Sequence, residues 1–158
     1  MWPERRDNGF TMIEILVTVV LMGIMMAIAV TGFTSWSRSS GQAGQARELQ
    51  SVMRQAHQRA ITEGRAICLF FNGTQSYTIY RGACDSATKV RVEGPVAAKS
   101  TQVNFTSPSF TGTSGTSTGV TFNARGTAWP GTVRITRNGS SKVYTLTVEG
   151  LTGRVSLA

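Results

Sequence analysis

Acidic residues are scarce in this chain. Eight Asp and Glu stand against sixteen Lys and Arg in 158 residues, for a formal net charge of +8 and a sequence pI near 10.5. So few carboxylates leave little material for paired acid–base catalysis, with only Asp85, Glu93 and Glu149 beyond Gly64. Histidine is scarcer still: His57 stands alone, and neither a His-Glu-x-x-His nor a phosphate-binding Gly-Lys-Ser/Thr pattern occurs. Cysteine is limited to Cys68 and Cys84, which excludes a four-cysteine zinc framework, and His57 lies in a helical stretch away from both. No cofactor, metal or catalytic residue is therefore assigned, and the chain is read as a non-enzyme. The basic excess points to anionic partners, either a polyanion or an anionic lipid surface.

What the sequence does have is one long apolar run. From Ile15 to Val30 only Thr18 carries a polar side chain, and Phe10, Met12 and Ile13 extend the run towards the N-terminus. About 20 helical residues cross a hydrocarbon core of roughly 30 Å. The run is long for a secretory signal, and no clear small-x-small cleavage site precedes the polar residues, although Ala27, Ala29 and Gly32 keep a signal peptide as the alternative; a permanent anchor is expected. Glu14 does not suit a plain anchor. A carboxylate deep in lipid costs about 2.5–3.5 kcal/mol even on lenient insertion scales, so it calls for a cationic partner. If the residue sits at the membrane interface instead, no partner is needed.

The string Gly-Phe-Thr-Met-Ile-Glu, residues 9–14, follows a short charged leader and precedes the apolar helix. It resembles the processing site of type IV prepilins and type II secretion pseudopilins. That resemblance implies a leader, residues 1–9, removed by a prepilin peptidase between Gly9 and Phe10, and N-methylation of Phe10. It also implies that Glu14 pairs with the N-terminal amine of a neighbouring subunit during assembly, which supplies the missing cation. The implied partners are other major and minor pilins or pseudopilins and the inner-membrane assembly platform. The implied location is the bacterial inner membrane, with a cytoplasmic N-terminus and an external β domain. Two departures stand out: Glu4 and Asp7 offset Arg5 and Arg6, and Met12 stands where leucine is common.

Residues 10–33 are read as the membrane or filament-core helix and 34–64 as its amphipathic second half. Ala46, Leu49, Met53, Ala56 and Ala60 follow the 3-then-4 spacing of one helix face, and Gly64 is a stop signal. Arg47, Arg54 and Arg65 fall on another side, read as a solvated face. From 65 to 158 short β-branched and aromatic stretches alternate with turn residues, which predicts an antiparallel β domain. Asn72-Gly73 and Asn138-Gly139 are the clearest hairpin turns. The Ser/Thr/Gly-rich stretch 106–119 is expected to be an exposed, flexible loop. Cys68 and Cys84 flank the first predicted hairpin and are candidates for a disulfide on the outer side of a membrane, or else two buried thiols. The fold class is α+β, pilin-like: a long N-terminal helix packed on an antiparallel β-sheet domain.

The tail carries Phe122, Gly126, Gly153 and Arg154 in strand–turn contexts. It resembles the C-terminal half of GspH/FimT-type minor pilins and pseudopilins. Two functions are then expected. The first is a structural minor subunit that primes or caps a type IV pilus or a type II secretion pseudopilus. The second is a DNA-binding minor pilin of a DNA-uptake pilus, with Arg125, Arg134, Arg137, Lys142 and Arg154 on phosphates. Some FimT-type members carry Gly-Arg-x-Arg in the final loop, but here Ser156 replaces the second arginine. Arg134 and Arg137, three apart on a strand, point to opposite faces.

Overall fold

The computed structural model describes residues 10–158, with the backbone alone over 30–39. The chain divides after Ser39 into an N-terminal unit and a C-terminal unit, Ser40–Ala158. Helix α1 runs Met12–Glu63. Its N-terminal end is capped: the backbone N–H of Glu14 donates to Thr11 Oγ1 at 3.3 Å. Thr11-Met12-Ile13-Glu14 thus has the Thr-x-x-Glu spacing of a capping box, which satisfies an otherwise orphaned donor. Within this helix Met12–Ala29 is long and apolar enough to cross a membrane, and its side chains are exposed in the N-terminal unit. At its C-terminal end, Gly64 adopts a left-handed φ of 63°. Arg65 N–H donates to Ala60 O at 3.2 Å and Gly64 N–H to Ile61 O at 3.3 Å. This is a Schellman ending, and a residue with a Cβ would strain it.

In the C-terminal unit the expected helix face is the buried one: Ala46, Leu49, Met53, Ala56 and Ala60 are all core residues. The β strands are β1 (Ile67–Asn72), β2 (Ser76–Arg81), β3 (Val90–Ala97), β4 (Val103–Gly112), β5 (Gly115–Ser117), β6 (Gly119–Phe122), β7 (Gly131–Arg137), β8 (Tyr144–Val148) and β9 (Val155–Leu157). They form two antiparallel sheets, ordered β3-β2-β1-β6 and β5-β4-β7-β8-β9. Aromatic contacts join the sheets through the core. The ring of Phe71 on β1 lies 5.6 Å from that of Phe105 and 6.3 Å from that of Phe110, both on β4. Each such fully buried side chain contributes about 1.5–3 kcal/mol relative to exposure.

The stretch 106–119 is not the exposed loop expected from its composition. Most of it is the second half of β4, all of β5 and the start of β6. The reason lies in two phenylalanines. Phe105 and Phe110 are five residues apart, so a regular strand would turn them to opposite faces, yet both are buried. A register shift against β7 between Thr106 and Ser109, with Ser107 at φ 48°, bulges the strand and returns Phe110 to the core side. Pro108, which has no N–H to donate, sits within that bulge. Two aromatic anchors thus hold a segment whose other residues are polar.

Candidate functional site

The two units offer different candidate sites. In the N-terminal unit, Phe10 is 80% exposed and Glu14 lies on the first helical turn. Gly9 and the leader 1–9 lie outside the described residues. The sequence reading missed the Thr11 cap, although Thr-x-x-Glu before an apolar run is a legible signal.

In the C-terminal unit Cys68 on β1 is joined by a disulfide to Cys84, S–S 2.05 Å, in the segment after β2. The Cys84 backbone is held on both sides: its N–H donates to Thr121 Oγ1 at 2.9 Å, and Lys89 Nζ donates to its carbonyl at 2.7 Å. Beside it the Asp85 carboxylate accepts from Thr113 Oγ1 at 2.5 Å, tying the β4–β5 hairpin to this segment.

The five candidate basic residues do not share one surface. Arg134 is exposed on β7 between buried Val133 and Ile135. Arg137 has the parity of the inward-facing residues and donates to Gln102 Oε1 at 2.6 Å at the strand's end. Lys142, in the β7–β8 connection, places Nζ 5.2 Å from the ring centroid of Tyr144. The turns that carry Arg125 and Arg154 touch. A Cβ on Gly153 would lie 2.8 Å from Gly126 O and 2.4 Å from His57 Nε2. Gly153, at φ 62°, is thus required by both conformation and close approach.

Helix α1 fixes that end through three polar side chains that sequence reading assigned no role or left to solvent. Gln50 Nε2 and Arg54 Nη2 both donate to Val155 O, at 3.1 and 3.2 Å. His57 Nε2, 2.9 Å from Gly126 O, must carry the proton, because a carbonyl only accepts. Their spacing of four and three residues is the signal that was available, since it puts them on one helix face.

Charge at this end is unevenly neutralised. Glu63 is gripped by Arg59 Nε at 2.5 Å and Arg81 Nε at 2.9 Å. These two guanidiniums, Arg59 first, hold its carboxyl below the usual range. In the core, burial pushes the Tyr77 hydroxyl above its ordinary value, with the charges of Glu48 and Glu93 adding to it.

One string resembles a catalytic motif. Gly115-Thr116-Ser117-Thr118-Gly119 spells Gly-x-Ser-x-Gly. A nucleophile elbow needs a strand-to-helix turn, whereas these residues make up β5, Thr118 and the first residue of β6. Ser117 Oγ accepts from Gly119 N–H at 3.0 Å, and the sole histidine is committed to Gly126. Among the described residues no group of three His, Cys, Asp or Glu is placed to hold a metal.

An anchor-capable helix entering a disulfide-closed, two-sheet β unit defines the pilin-like class of subunits. The chain belongs to the GspH family, described as type II transport protein GspH, whose model matches residues 45–152. A second model, the prokaryotic N-terminal methylation motif, matches residues 5–30. Two solved structures share the fold. The Pseudomonas aeruginosa type IV minor pilin FimU is 19% identical, with 78% of this chain and 92% of that chain covered and a TM-score of 0.55. Escherichia coli GspH in solution is 15% identical, with 75% and 88% covered and a TM-score of 0.55. No curated protein sequence matches the chain. The chain is a minor pilin or pseudopilin, a structural subunit of the type IV pilus or type II secretion class.

Proposed function

We propose that this subunit is cut between Gly9 and Phe10, methylated on Phe10, and inserted into a filament that it primes or caps. The observation that carries the reading is the methylation motif over residues 5–30, which contains the exposed apolar stretch Met12–Ala29 with Glu14 near its head. In a filament the neighbour's N-terminal amine offers Glu14 the charge partner that lipid lacks. The assembly platform and sibling pilins are its partners. The Cys68–Cys84 disulfide supports a cytoplasmic N-terminus and an outer β unit, since such bonds persist in oxidising compartments.

The test separates insertion from assembly. Glu14→Ala keeps the chain in the inner-membrane fraction but lowers its yield in sheared filaments, because removing the carboxylate eases insertion while the amine loses its partner. Wild-type incorporation of the variant overturns the pairing.

The net charge of +8 favours a second reading, DNA capture. On this reading the folded chain shifts duplex DNA of any sequence in a titration at about 50 mM salt, and log affinity falls linearly with log salt. Arg154→Ala lowers the slope by about one. With the five basic residues dispersed, Arg134 and Arg137 contribute unequally. No shift at low salt removes the reading.

A further inference from the structure

One end of the C-terminal unit presents an apolar tip among arginines. Leu151 is 90% exposed, more than any other large hydrophobic of that unit, and Ile61 is 47% exposed. The turn bearing Leu151 is brought towards the helix end that carries Ile61. Gly153 packs against His57 and Gly126, and a Cβ on Gly126 would stand 3.7 Å from Ile61 Cδ1. Arg65 and Arg125 line opposite walls of one groove, between the helix ending at Gly64 and the turn at Asn123.

The tip is presented rather than loose. Gly153 N–H donates to Glu149 O, Glu149 N–H to Arg154 O, and Ala128 N–H to Gly150 O, at 3.0, 3.0 and 2.8 Å. Leaving a leucine in water on so well-tied a turn forgoes the favourable burial of its side chain. The surrounding charge is positive. Arg65, Arg125 and Arg154 are exposed and make no ion pair among the described residues. Of the nearby carboxylates, Glu63 is neutralised by Arg59 and Arg81, and Glu149 accepts from the Thr152 hydroxyl at 3.0 Å.

We infer that this end docks an acidic, partly apolar face of a different subunit in the same filament, with Leu151 as anchor and Arg65, Arg125 and Arg154 as its rim. The inference rests on the subunit reading above. A second copy of this basic chain repels the arginines. A phosphate backbone answers them but offers nothing to Leu151, whereas an apolar centre with a polar rim in which arginine is enriched is the anatomy of protein interfaces.

The test uses the full chain in cells that assemble it, with a photoreactive amino acid placed at Leu151 or, as reference, at Ile24 in the anchor helix. Irradiation at Leu151 is expected to give an adduct with a distinct pilin-like subunit, mapped by mass spectrometry to a peptide carrying Asp or Glu. Combined Arg125→Glu and Arg154→Glu lowers that yield by about tenfold, because opposed charges become like charges. Arg134→Glu, an equal charge change on the outer face of β7, leaves it unchanged, and non-reducing gels verify that each variant retains its disulfide. Adducts at Leu151 with nucleic acid, lipid or a second copy overturn the inference. So does an equal loss with Arg134→Glu. Adducts at Ile24 without any at Leu151 overturn the docking surface and leave the subunit reading standing. Failure at Ile24 to reach any pilin-like subunit removes the subunit reading and the inference with it.

Discussion

The two units of this chain treat hydrophobic surface in opposite ways. From Met12 to Ala29 the helix exposes methionine, isoleucine, leucine and valine at every turn. Beyond Ser40 the same kinds of residue are buried between helix and sheets, as Leu49, Met53, Ile67 and Ile135 show. The first arrangement is stable only when something outside the chain, lipid or neighbouring helices, covers it. The second supplies its own cover. The proposed sites therefore have different addresses in the two units: a linear string of residues in the first, and a surface assembled from distant turns in the second.

The largest effect that can break this comparison is on processing. Gly9→Leu is expected to abolish cleavage, so intact-mass measurement finds a chain retaining residues 1–9 where the parent begins at Phe10. Normal maturation of the variant would mean that the linear string is not the address. On the other side, Phe105→Ala is expected to destabilise the C-terminal unit by about 3–5 kcal/mol, as for other buried phenylalanine truncations. Phe105 is 1% exposed and packs against Phe71 and Tyr77. Thermal unfolding followed by near-ultraviolet circular dichroism measures it. A cost below about 1 kcal/mol would show that the sheets do not depend on that aromatic seam.

How legible each unit was follows from the same contrast. The anchor, the helix face from Ala46 to Ala60 and the strands holding Phe71, Val133 and Leu146 could be read because periodicity and burial agreed. Strand β4 could not, because its Ser, Thr and Gly content speaks for a loop, and the bulge at Ser107–Pro108 breaks the alternation that would have shown Phe105 and Phe110 as partners. The basic candidates were legible as residues but not as a surface. Nothing in the spacing of Arg125 and Arg154 says that their turns meet over His57. Arg54 looked like a solvated side chain, and only the folded chain reveals the Val155 carbonyl within its reach.

Next in size is the disulfide. Cys68→Ser with Cys84→Ser is expected to lower stability by about 3 kcal/mol for a loop of this length in the chain-entropy account, read as the difference in unfolding free energy between the disulfide-bonded parent and the cysteine-free variant. An unchanged midpoint would assign the cohesion of the unit to its core alone. Gly153→Ala follows, at about 2 kcal/mol, since alanine at φ 62° carries a left-handed penalty and its Cβ meets His57. The same substitution sharpens the surface address: it displaces the turn bearing Arg154 and weakens the Leu151 cross-link, while maturation at Gly9 is untouched.

The smallest expected effect is electrostatic and lies wholly in the C-terminal unit. Hydrogen bonds from Arg59 and then Arg81 hold the Glu63 carboxyl below its ordinary value in the folded chain. Its contribution is therefore present above the unfolded carboxylate value of about 4.3 and is lost as pH falls through the lower folded value. Because the group is solvent-accessible, salt screening keeps the effect small. Comparing the parent with Glu63→Gln isolates it from the other carboxylates. The gap between their melting midpoints is expected to be widest near pH 7, to narrow as pH falls below 4, and to shrink with added salt at neutral pH. A gap that stays constant from pH 7 to pH 3 would mean that Glu63 acts by packing at the end of α1, and that its two arginines belong with Arg65 and Arg125 as free positive charge rather than as a closed ion pair.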